Sequence, residues 1–296
     1  MSMKGAAVQR GNAGWTNYLY LLPAVLLIGV FFVSSIFYTG WLSFFESDGF
    51  SPPVFTGLEN YRYLFQDPNF SISLINTLIW VVSSLVISFA IPLMLAILIT
   101  QSNHLTLFKN IFYFPNVLSA TIAGIIIRSM ISVYGLPQLF GMMGLKEWVS
   151  DWLALPRVNT FIMIGCSVWQ GIGMNLLLFI VGIKNIDCSP IEAATIEGAG
   201  KLQLYTKVVF PLLKPTSIVI LLMSLVNSFK VFDSIWVMTK GGPYRSSETL
   251  ALTMYEESFI RNKLGLGAAV AVVLTVIILI VSYYNVRNTF KPENVL

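Results

Sequence analysis

The sequence predicts an all-α polytopic membrane protein, and two features of its composition support that prediction. Hydrophobic residues make up 56% of the 296 residues, whereas charged residues make up only 11%. Because a soluble domain typically carries about 25% charged residues, this chain cannot cover the surface of a compact globule with charge. Most of its surface is therefore expected to face lipid. The same composition excludes an intrinsically disordered chain, and the presence of only two cysteines excludes a disulfide-stapled secreted module.

Charge-free intervals locate the membrane spans, because a charged residue at the centre of a membrane helix costs roughly 2.5–3.5 kcal/mol to insert. Five such intervals predict spans at about residues 18–41, 74–100, 110–130, 158–183 and 264–286. The first is longer than the apolar region of a signal peptide, about 7–15 residues, so we expect it to remain in the mature protein. Pro92 is expected to kink the second span without ending it.

A sixth span is predicted at about residues 215–237, although Lys230 and Asp233 interrupt it. Its apolar side chains offset these two charges only if the charges lie near a helix end or face a cavity. Six spans place both ends of the chain on the same side of the membrane. The predicted parts are an N-terminal tail, residues 1–17, a transmembrane domain, residues 18–290, and a C-terminal tail, residues 287–296.

The loop between the fourth and fifth spans, residues 184–214, carries the pattern of two short helices. Ser189 stands as an N-cap, with Pro190 at the first helical position and Glu192 three residues after the cap, which makes a capping box. Gly198 lets the backbone turn into the second helix. That second helix is expected to carry an apolar patch made of Tyr205, Val208, Val209 and Phe210. From these residues alone, the loop either caps and connects two spans or offers a docking surface.

The same loop resembles the EAA motif of permease subunits of binding-protein-dependent ATP-binding-cassette importers. The matching residues are Glu192, Ala193, Ala194, Gly198 and Pro211, with Glu197 where Asp is common and Val208 and Phe210 where Ile and Leu are usual. Residues 231–243 are similar to the FD.IY.LT.GGP stretch of the maltose-type carbohydrate branch. Residues 58–61 are similar to the G..NY segment of the same branch.

The resemblance implies an orientation and a set of partners. The loop would be cytoplasmic, and both termini would then be cytoplasmic as well. The chain would be a multi-pass protein of a bacterial inner membrane. ATPase coupling would fall to Glu192, Ala193, Ala194, Glu197, Gly198 and Pro211. The implied partners are a second homologous permease subunit in a heterodimer, two ATPase subunits, an extracytoplasmic solute-binding protein and the lipid bilayer. Charge gives no orientation by itself, because Lys and Arg divide equally between the two sides.

The chain is expected to bind no cofactor, with ATP and Mg²⁺ held by the partner ATPase subunits. It is not predicted to be an enzyme, because it carries no nucleotide-binding Walker A motif: the glycines before Lys201 are misplaced and Leu202 follows. His104 is the only histidine, so no metal site is predicted. The net charge of +4 is too small and too dispersed to predict binding to nucleic acid.

Polar groups within the spans are the candidates for a substrate pathway, because a polar residue inside a membrane is a functional hypothesis by default. The candidates are Trp169, Gly171, Met174 and Asn175 in the fourth span and Asn227 and Phe229 in the fifth. An amide can exchange hydrogen bonds with the hydroxyl of a sugar or oligosaccharide, which is the substrate class that the resemblance implies. Hydrogen bonding between helices is the alternative role for these side chains.

Other functions remain open from the sequence. A stand-alone secondary transporter or channel would need buried coupling charges, for which Lys230 and Asp233 are the candidates. An importer permease could also carry a non-sugar solute such as a polyol or a glycerol phosphate. A helix predicted at residues 247–259 either lies near the solute-binding protein or only closes the bundle at the membrane interface.

Overall fold

The computed structural model describes residues 15–145 and 149–289. Helix α1 comprises Trp15–Leu27, Ile28–Val33 and Ser34–Leu42, and a ribbon of β1, Phe45–Glu46, and β2, Val54–Phe55, follows it. The next helices are α2, Glu59–Gln66; α3, Pro68–Thr100; α4, Leu105–Tyr113; α5, Ala120–Ile131; α6, Leu136–Met142; and α7, Val158–Lys184. Short 3₁₀ turns lie at Phe114–Val117 and Trp152–Ala154.

The remaining described elements lie after the fourth span. They are α8, Cys188–Ile196; α9, made of Lys201–Leu204, Tyr205–Val209 and Phe210–Leu212; α10, Lys214–Phe229; α11, Asp233–Met238; α12, made of Leu250–Tyr255 and Glu256–Ile260; and α13, Leu264–Thr289. Within the described ranges, five helical segments are long and apolar enough to cross a membrane, and α10 joined at 69° to α9 makes a sixth. The predicted all-α membrane fold is confirmed.

Two of the predicted spans are interrupted in the structure. The segment predicted at 110–130 is divided between α4 and α5. Pro115 has no N–H with which to continue the hydrogen bonding of α4, and Ser119 caps a new helix by accepting from the Ile122 N–H at 3.2 Å. The segment predicted at 215–237 is likewise no single helix, since α10 ends at Phe229. Its two charges therefore lie at helix ends, which is one of the two conditions set by the sequence.

Lys230 and Asp233 are placed where backbone dipoles favour them. Lys230 is the C-cap of α10, and Asp233 lies in the first turn of α11. A cation at a helix C-terminus and an anion at a helix N-terminus are each stabilised by the aligned peptide dipoles. Both charges thus lie at the break at residues 230–232 or directly beside it, and neither lies inside a continuous helix.

Helices α3 and α7 form the centre of the bundle and are packed very closely. Ala96, Leu176 and Phe179 are completely buried where the two helices meet. Gly173 brings α7 against α4: a Cβ atom at this position would lie 2.5 Å from the Tyr113 Cα and 2.6 Å from the Phe112 carbonyl oxygen. Only glycine fits at a contact made by backbone atoms.

Helix α1 behaves differently from the other spans. Every residue from 20 to 38 is exposed, and contact with the bundle begins at Leu42, which is 7% exposed. There the Ser43 hydroxyl lies 2.7 Å from the Tyr61 hydroxyl, and the Asn60 side chain donates to the Ser43 and Phe45 carbonyls at 2.9 Å each. Asn60 and Tyr61 belong to the G..NY-like segment, so this segment fixes where the chain leaves α1.

Candidate functional site

Helix α8 begins earlier than the sequence pattern indicates. Its N-cap is Asp187, whose carboxylate accepts a hydrogen bond from the Ser189 N–H at 3.3 Å. The predicted cap at Ser189 is therefore wrong, and Glu192 stands too far along the helix to complete a capping box. The carboxylate of Asp187 favours the helix N-terminus more strongly because its negative charge also faces the helix dipole. Glu192 is left without an intrahelical role and is exposed.

Gly198 ends α8 in a left-handed conformation, with φ of +82°. The Gly198 N–H donates to the Thr195 carbonyl at 3.1 Å, and the Ala199 N–H donates to the Ala194 carbonyl at 3.0 Å. A Cβ atom at Gly198 would meet nothing within 4 Å. Glycine is thus required here for backbone conformation, and the space next to it is open to another surface.

The far side of α8 and the start of α9 form an exposed apolar surface. Ile196 is 86% exposed and Leu202 is 78% exposed, although both lie in a loop rich in charge. Ala193 and Gly198 are also exposed, while Ala194 is half-buried. We call Ala193, Ile196, Gly198 and Leu202, with Glu192 at its border, the loop tip. The sequence interpretation missed Ile196 and Leu202; their position between charged neighbours on short helices was the available signal.

The apolar patch predicted on the second helix is partly buried against the bundle, although Phe210 is still 47% exposed. Val209 is 4% exposed, and the Phe210 ring lies edge-on to the Phe89 ring with centroids 6.4 Å apart. The Gln101 side chain donates to the Tyr205 hydroxyl at 2.7 Å. These contacts join α9 to α3 and so fix the position of the loop tip relative to the bundle. Pro211, another predicted coupling residue, is exposed at the end of α9, one turn from the loop's junction with α10.

A cavity of about 480 Å³ lies in the middle of the bundle, between α3, α7, α10 and the break after Phe229. Its walls carry many polar side chains among apolar ones. They include Trp80, Ser84, Ser88, Asn116, Ser167, Gln170, Gly171, Met174, Asn175, Ser224, Asn227, Lys230 and Asp233. We call this the central cavity.

The structure brings four of the six predicted pathway residues to the central cavity and leaves two outside it. Gly171, Met174, Asn175 and Asn227 line the cavity. Phe229 is 1% exposed and belongs to the core, where it packs with Leu225 and Leu250. Trp169 is 38% exposed on another face of α7. The positions of Phe229 and Trp169 do not support contact with a molecule in this cavity.

Hydrogen bonding divides the two predicted amides. The Asn175 side chain donates to the Ser88 carbonyl at 3.0 Å, which joins α7 to α3. Within the described ranges, the Asn227 side chain has no hydrogen-bond partner, and the buried Trp80 indole N–H also has none. Asn227 thus keeps its donors and acceptor available to a ligand. Trp80 and the serines of α3 were not among the sequence candidates, because they look like ordinary core positions of an apolar helix.

At the end of the bundle opposite the loop tip, residues 239–249 are held by a buried polar network. The Asn76 side chain donates to the Glu248 carbonyl at 3.0 Å, and the Asn159 side chain donates to the Gly242 carbonyl at 2.9 Å. The Glu248 carboxylate accepts from Thr253 at 2.6 Å and pairs with Arg245. The hydrogen bonds to Glu248 raise the pKa of the Arg245 guanidinium. This segment is therefore tied to both α3 and α7.

The helix predicted at residues 247–259 is largely α12, but it is not a surface helix. Leu250 and Leu252 are fully buried, and Glu257 is 5% exposed. Burial raises the pKa of the neighbouring Glu256, and repulsion from Glu248 adds to the effect. The first turns of this helix are thus part of the bundle. This agrees with the alternative in which the helix closes the bundle.

We expect removal of the Glu248 carboxylate to destabilise the protein. Glu248→Ala leaves the Arg245 guanidinium without its ion-pair partner, and breaking a buried pair of this kind costs about 3 kcal/mol. The midpoint of thermal unfolding in detergent should fall by several degrees. Glu46→Ala, which removes an exposed carboxylate, is the control and should leave the midpoint unchanged. Equal midpoints for the two variants would contradict the assigned role of the network.

Comparison with known proteins places these features in a family. Residues 3–293 match the family described as binding-protein-dependent transport system inner membrane component. A probable ABC transporter permease of Pyrococcus horikoshii is 33% identical over 279 residues, which is 93% of this chain and 96% of the relative. A multiple sugar-binding transport system permease of Streptococcus mutans, MsmF, is 31% identical over 285 residues, covering 95% of this chain and 96% of the relative.

The fold is also found in a solved structure. The crystal structure of a bacterial alginate ABC transporter in complex with an alginate pentasaccharide-bound periplasmic protein contains a chain that superimposes with a TM-score of 0.83. The match covers 93% of this chain and 94% of that one, at 21% sequence identity. At this level of identity, the likeness concerns the fold.

Proposed function

Since the chain belongs to the family of inner membrane components of binding-protein-dependent transport systems, we propose that it forms half of the pathway of an ATP-driven importer for a sugar or oligosaccharide. The observation that carries this proposal is the loop tip. A solvent-facing loop in which Ile196 and Leu202 are almost completely exposed is typical of a surface that binds another protein. The partner is an ATPase subunit, and the loop tip lies in the cytoplasm together with both termini.

The shape of the loop tip explains how it would couple. Ala193 and Gly198 present almost no side chain, so the ATPase surface can approach the α8 backbone closely. Ile196 and Leu202 supply the apolar anchors, and Glu192 at the border can pair with a basic group of the ATPase. Glu197 is exposed beside Ile196 and adds a second charge to that border. Because α9 is joined to α3 and continues into α10, movement of the loop tip reaches the central cavity.

A second permease subunit completes the pathway. The central cavity is open on the side where α7 and α10 carry the exposed residues Met174 and Met223. The long exposed face of α1 offers further apolar surface for the same heterodimer. Two permease subunits present two loop tips, so two ATPase subunits are needed, and these hold the ATP and Mg²⁺. This chain therefore performs no hydrolysis itself.

Delivery of the substrate falls to an extracytoplasmic solute-binding protein. In the alginate transporter, a periplasmic protein carrying the oligosaccharide is part of the complex, which supports the same arrangement here. Residues 239–249 are held rigidly at the end opposite the loop tip and expose Tyr244, of which 96% is accessible. A preorganised exposed aromatic side chain is a suitable contact for that protein.

The polar wall of the central cavity supports a hydroxylated substrate. Serine hydroxyls and the free amide of Asn227 provide hydrogen bonds of the kind that a sugar uses. The name of the Streptococcus mutans relative points to the same class. The test is reconstitution of the assembled complex in vesicles with its binding protein, followed by measurement of ATP-dependent uptake of a panel of labelled oligosaccharides; uptake of none of them would contradict the substrate class.

Within that assay, Asn227→Leu should reduce uptake, because leucine has nearly the same size and cannot hydrogen-bond. Loss of one or two substrate hydrogen bonds, at about 1 kcal/mol each, corresponds to roughly a five- to thirty-fold loss of transport efficiency. Binding of the ATPase subunits should be unchanged. Trp169→Leu is the matched variant on α7 outside the cavity and should transport normally. Normal transport by Asn227→Leu would remove this residue from the pathway.

A further inference from the structure

The wall of the central cavity contains two charged side chains of opposite sign. Lys230 and Asp233 both line the cavity, and the other described residues around it carry no charge. Both side chains are exposed. Because a charge in the middle of a membrane bundle costs free energy unless it meets water, a partner or a ligand, each of the two is a candidate for a role in function.

Neither charge is paired in the parts of the chain that the structure describes. No ion pair there joins Lys230 to Asp233, or either of them to a third residue. Asp233 also does not cap its own helix by a hydrogen bond, since the N-cap of α11 is Phe232 and this helix end has no side-chain cap. The helix dipoles stabilise the two charges without occupying their hydrogen-bonding positions. The ammonium and the carboxylate are therefore available to a solute.

Other groups without partners border the same cavity. Asn227, with its free amide, stands three residues before Lys230, at the end of α10, so the two share one side of the helix. The Trp80 indole N–H is also unpaired, although Trp80 is only 1% exposed. A buried donor without an acceptor is unfavourable, which favours a polar molecule in this space. The cavity thus offers two neutral polar groups together with the two charges.

A lysine and an aspartate on one cavity wall suit an uncharged solute that is rich in hydroxyls. A carboxylate accepts hydrogen bonds from sugar hydroxyls, and an ammonium donates to hydroxyl and ring oxygens. An ion of either sign is attracted by one of the two charges and repelled by the other, so it gains little net attraction. It nevertheless loses part of its water on entry, which costs more for an ion than for a neutral sugar.

From this arrangement we propose that Lys230 and Asp233 form a charge filter, which admits uncharged sugars to the central cavity and disfavours sugar acids and sugar phosphates. The inference rests on the proposed function and adds to it the charge class of the substrate. It also separates a sugar from the glycerol phosphate that the sequence leaves open.

The two members of the charge filter have opposite effects on an anion. Without Asp233, Lys230 is the only charge on the described wall, and the cavity attracts anions. Without Lys230, Asp233 remains, and anions are repelled more strongly. A role confined to stabilising helix ends predicts a different result, because loss of either charge would then lower stability without changing which solute the cavity prefers.

The test compares methyl α-glucoside with methyl α-glucuronide, in which a carboxylate replaces the CH₂OH group of the same ring. Each sugar is sealed with ATP inside proteoliposomes that contain the assembled transporter, at matched ionic strength. The labelled substrate outside is the oligosaccharide of the uptake panel that the wild type transports fastest. A sugar in the lumen reaches the cavity when the pathway opens to that side, and the binding protein outside does not select it. The measured quantity is the luminal concentration that halves uptake.

Asp233→Asn should make the glucuronide about tenfold more inhibitory relative to the glucoside, which is the effect expected of one nearby unit charge. Lys230→Gln should shift the same ratio about tenfold in the opposite direction. Asp233→Glu keeps the charge and should keep the wild-type ratio. Glu46→Gln is the control, because it removes an exposed carboxylate that does not line the cavity.

Unchanged ratios in Asp233→Asn and Lys230→Gln, with ATP-driven uptake intact in the wild type, would overturn the charge filter. A shift in the same direction for both variants would overturn it as well, since the sign of the removed charge would then be irrelevant. Either variant decides the question alone if the other does not assemble. Absence of ATP-driven uptake in the wild type would instead count against the proposed function.

Discussion

Gly198→Asp is expected to abolish ATP-dependent uptake while the protein remains folded in the membrane. A Cβ atom at this position meets no described residue within 4 Å, so the bundle is expected to be undisturbed apart from about 1–2 kcal/mol of local strain at a left-handed position. It would, however, project into the space that we propose an ATPase subunit occupies. Loss of one central contact costs about 2 kcal/mol or more, which weakens docking roughly thirty-fold or more. Co-purification of the ATPase subunits measures this loss.

Gly144→Asp is the matched control for that experiment. Gly144 also has a left-handed conformation, with φ of +87°, and a Cβ atom there would also meet nothing within 4 Å. It lies beyond α6, at the other end of the bundle from the loop tip. The control should therefore retain both uptake and bound ATPase. If both variants transport normally, α8 is not the coupling element.

Gly173→Val is expected to lower stability strongly. Its Cβ atom would fall within 2.6 Å of two backbone atoms of α4, and backbone cannot move aside as a flexible side chain can. Overpacking of this kind typically costs 1–3 kcal/mol, and we expect a value near the upper end, about 3 kcal/mol. The variant should show a lower midpoint of thermal unfolding in detergent and reduced yield.

Gly165→Val provides the comparison on the same helix. Gly165 is exposed, and a Cβ atom there would meet nothing within 4 Å. The change from glycine to valine alters helix propensity equally at the two positions. Its unfolding midpoint should stay close to that of the wild type. A similar drop for Gly165→Val and Gly173→Val would show that the cost comes from valine in α7 rather than from contact with α4.

The sequence predicts the membrane class well because charge in lipid is costly, and that penalty acts on each residue locally. It locates the ends of the segments less well. To predict the break after Phe229, one must consider Lys230 and Asp233 together with the helix dipoles and the cavity. A hydropathy window counts these two residues only as a cost of membrane insertion. The N-cap at Asp187 shows the same limit, since Ser189 also matches a cap and only the backbone decides between them.

The candidate functional residues also differ in how well the sequence predicts them. Residues of a contiguous motif, such as Glu192 and Gly198, can be found from spacing alone. The network around Glu248 cannot, because Asn76 lies 172 residues away in sequence. Phe229 shows the opposite error: an aromatic residue close to Asn227 looks like a pathway residue, yet two steps along a helix turn the side chain by about 200°, into the core.

The central claim, that the loop tip docks on an ATPase subunit, is tested most directly by a photo-crosslinking amino acid at Ile196 in intact membranes. Tyr134, which is 89% exposed beyond α5 at the opposite end of the bundle, is the control position. We expect illumination to join the Ile196 probe to an ATP-binding-cassette subunit identified by mass spectrometry, and the Tyr134 probe to yield no such product. Absence of an ATPase product from Ile196, in membranes that show ATP-driven uptake, would rule out docking of the ATPase at the loop tip.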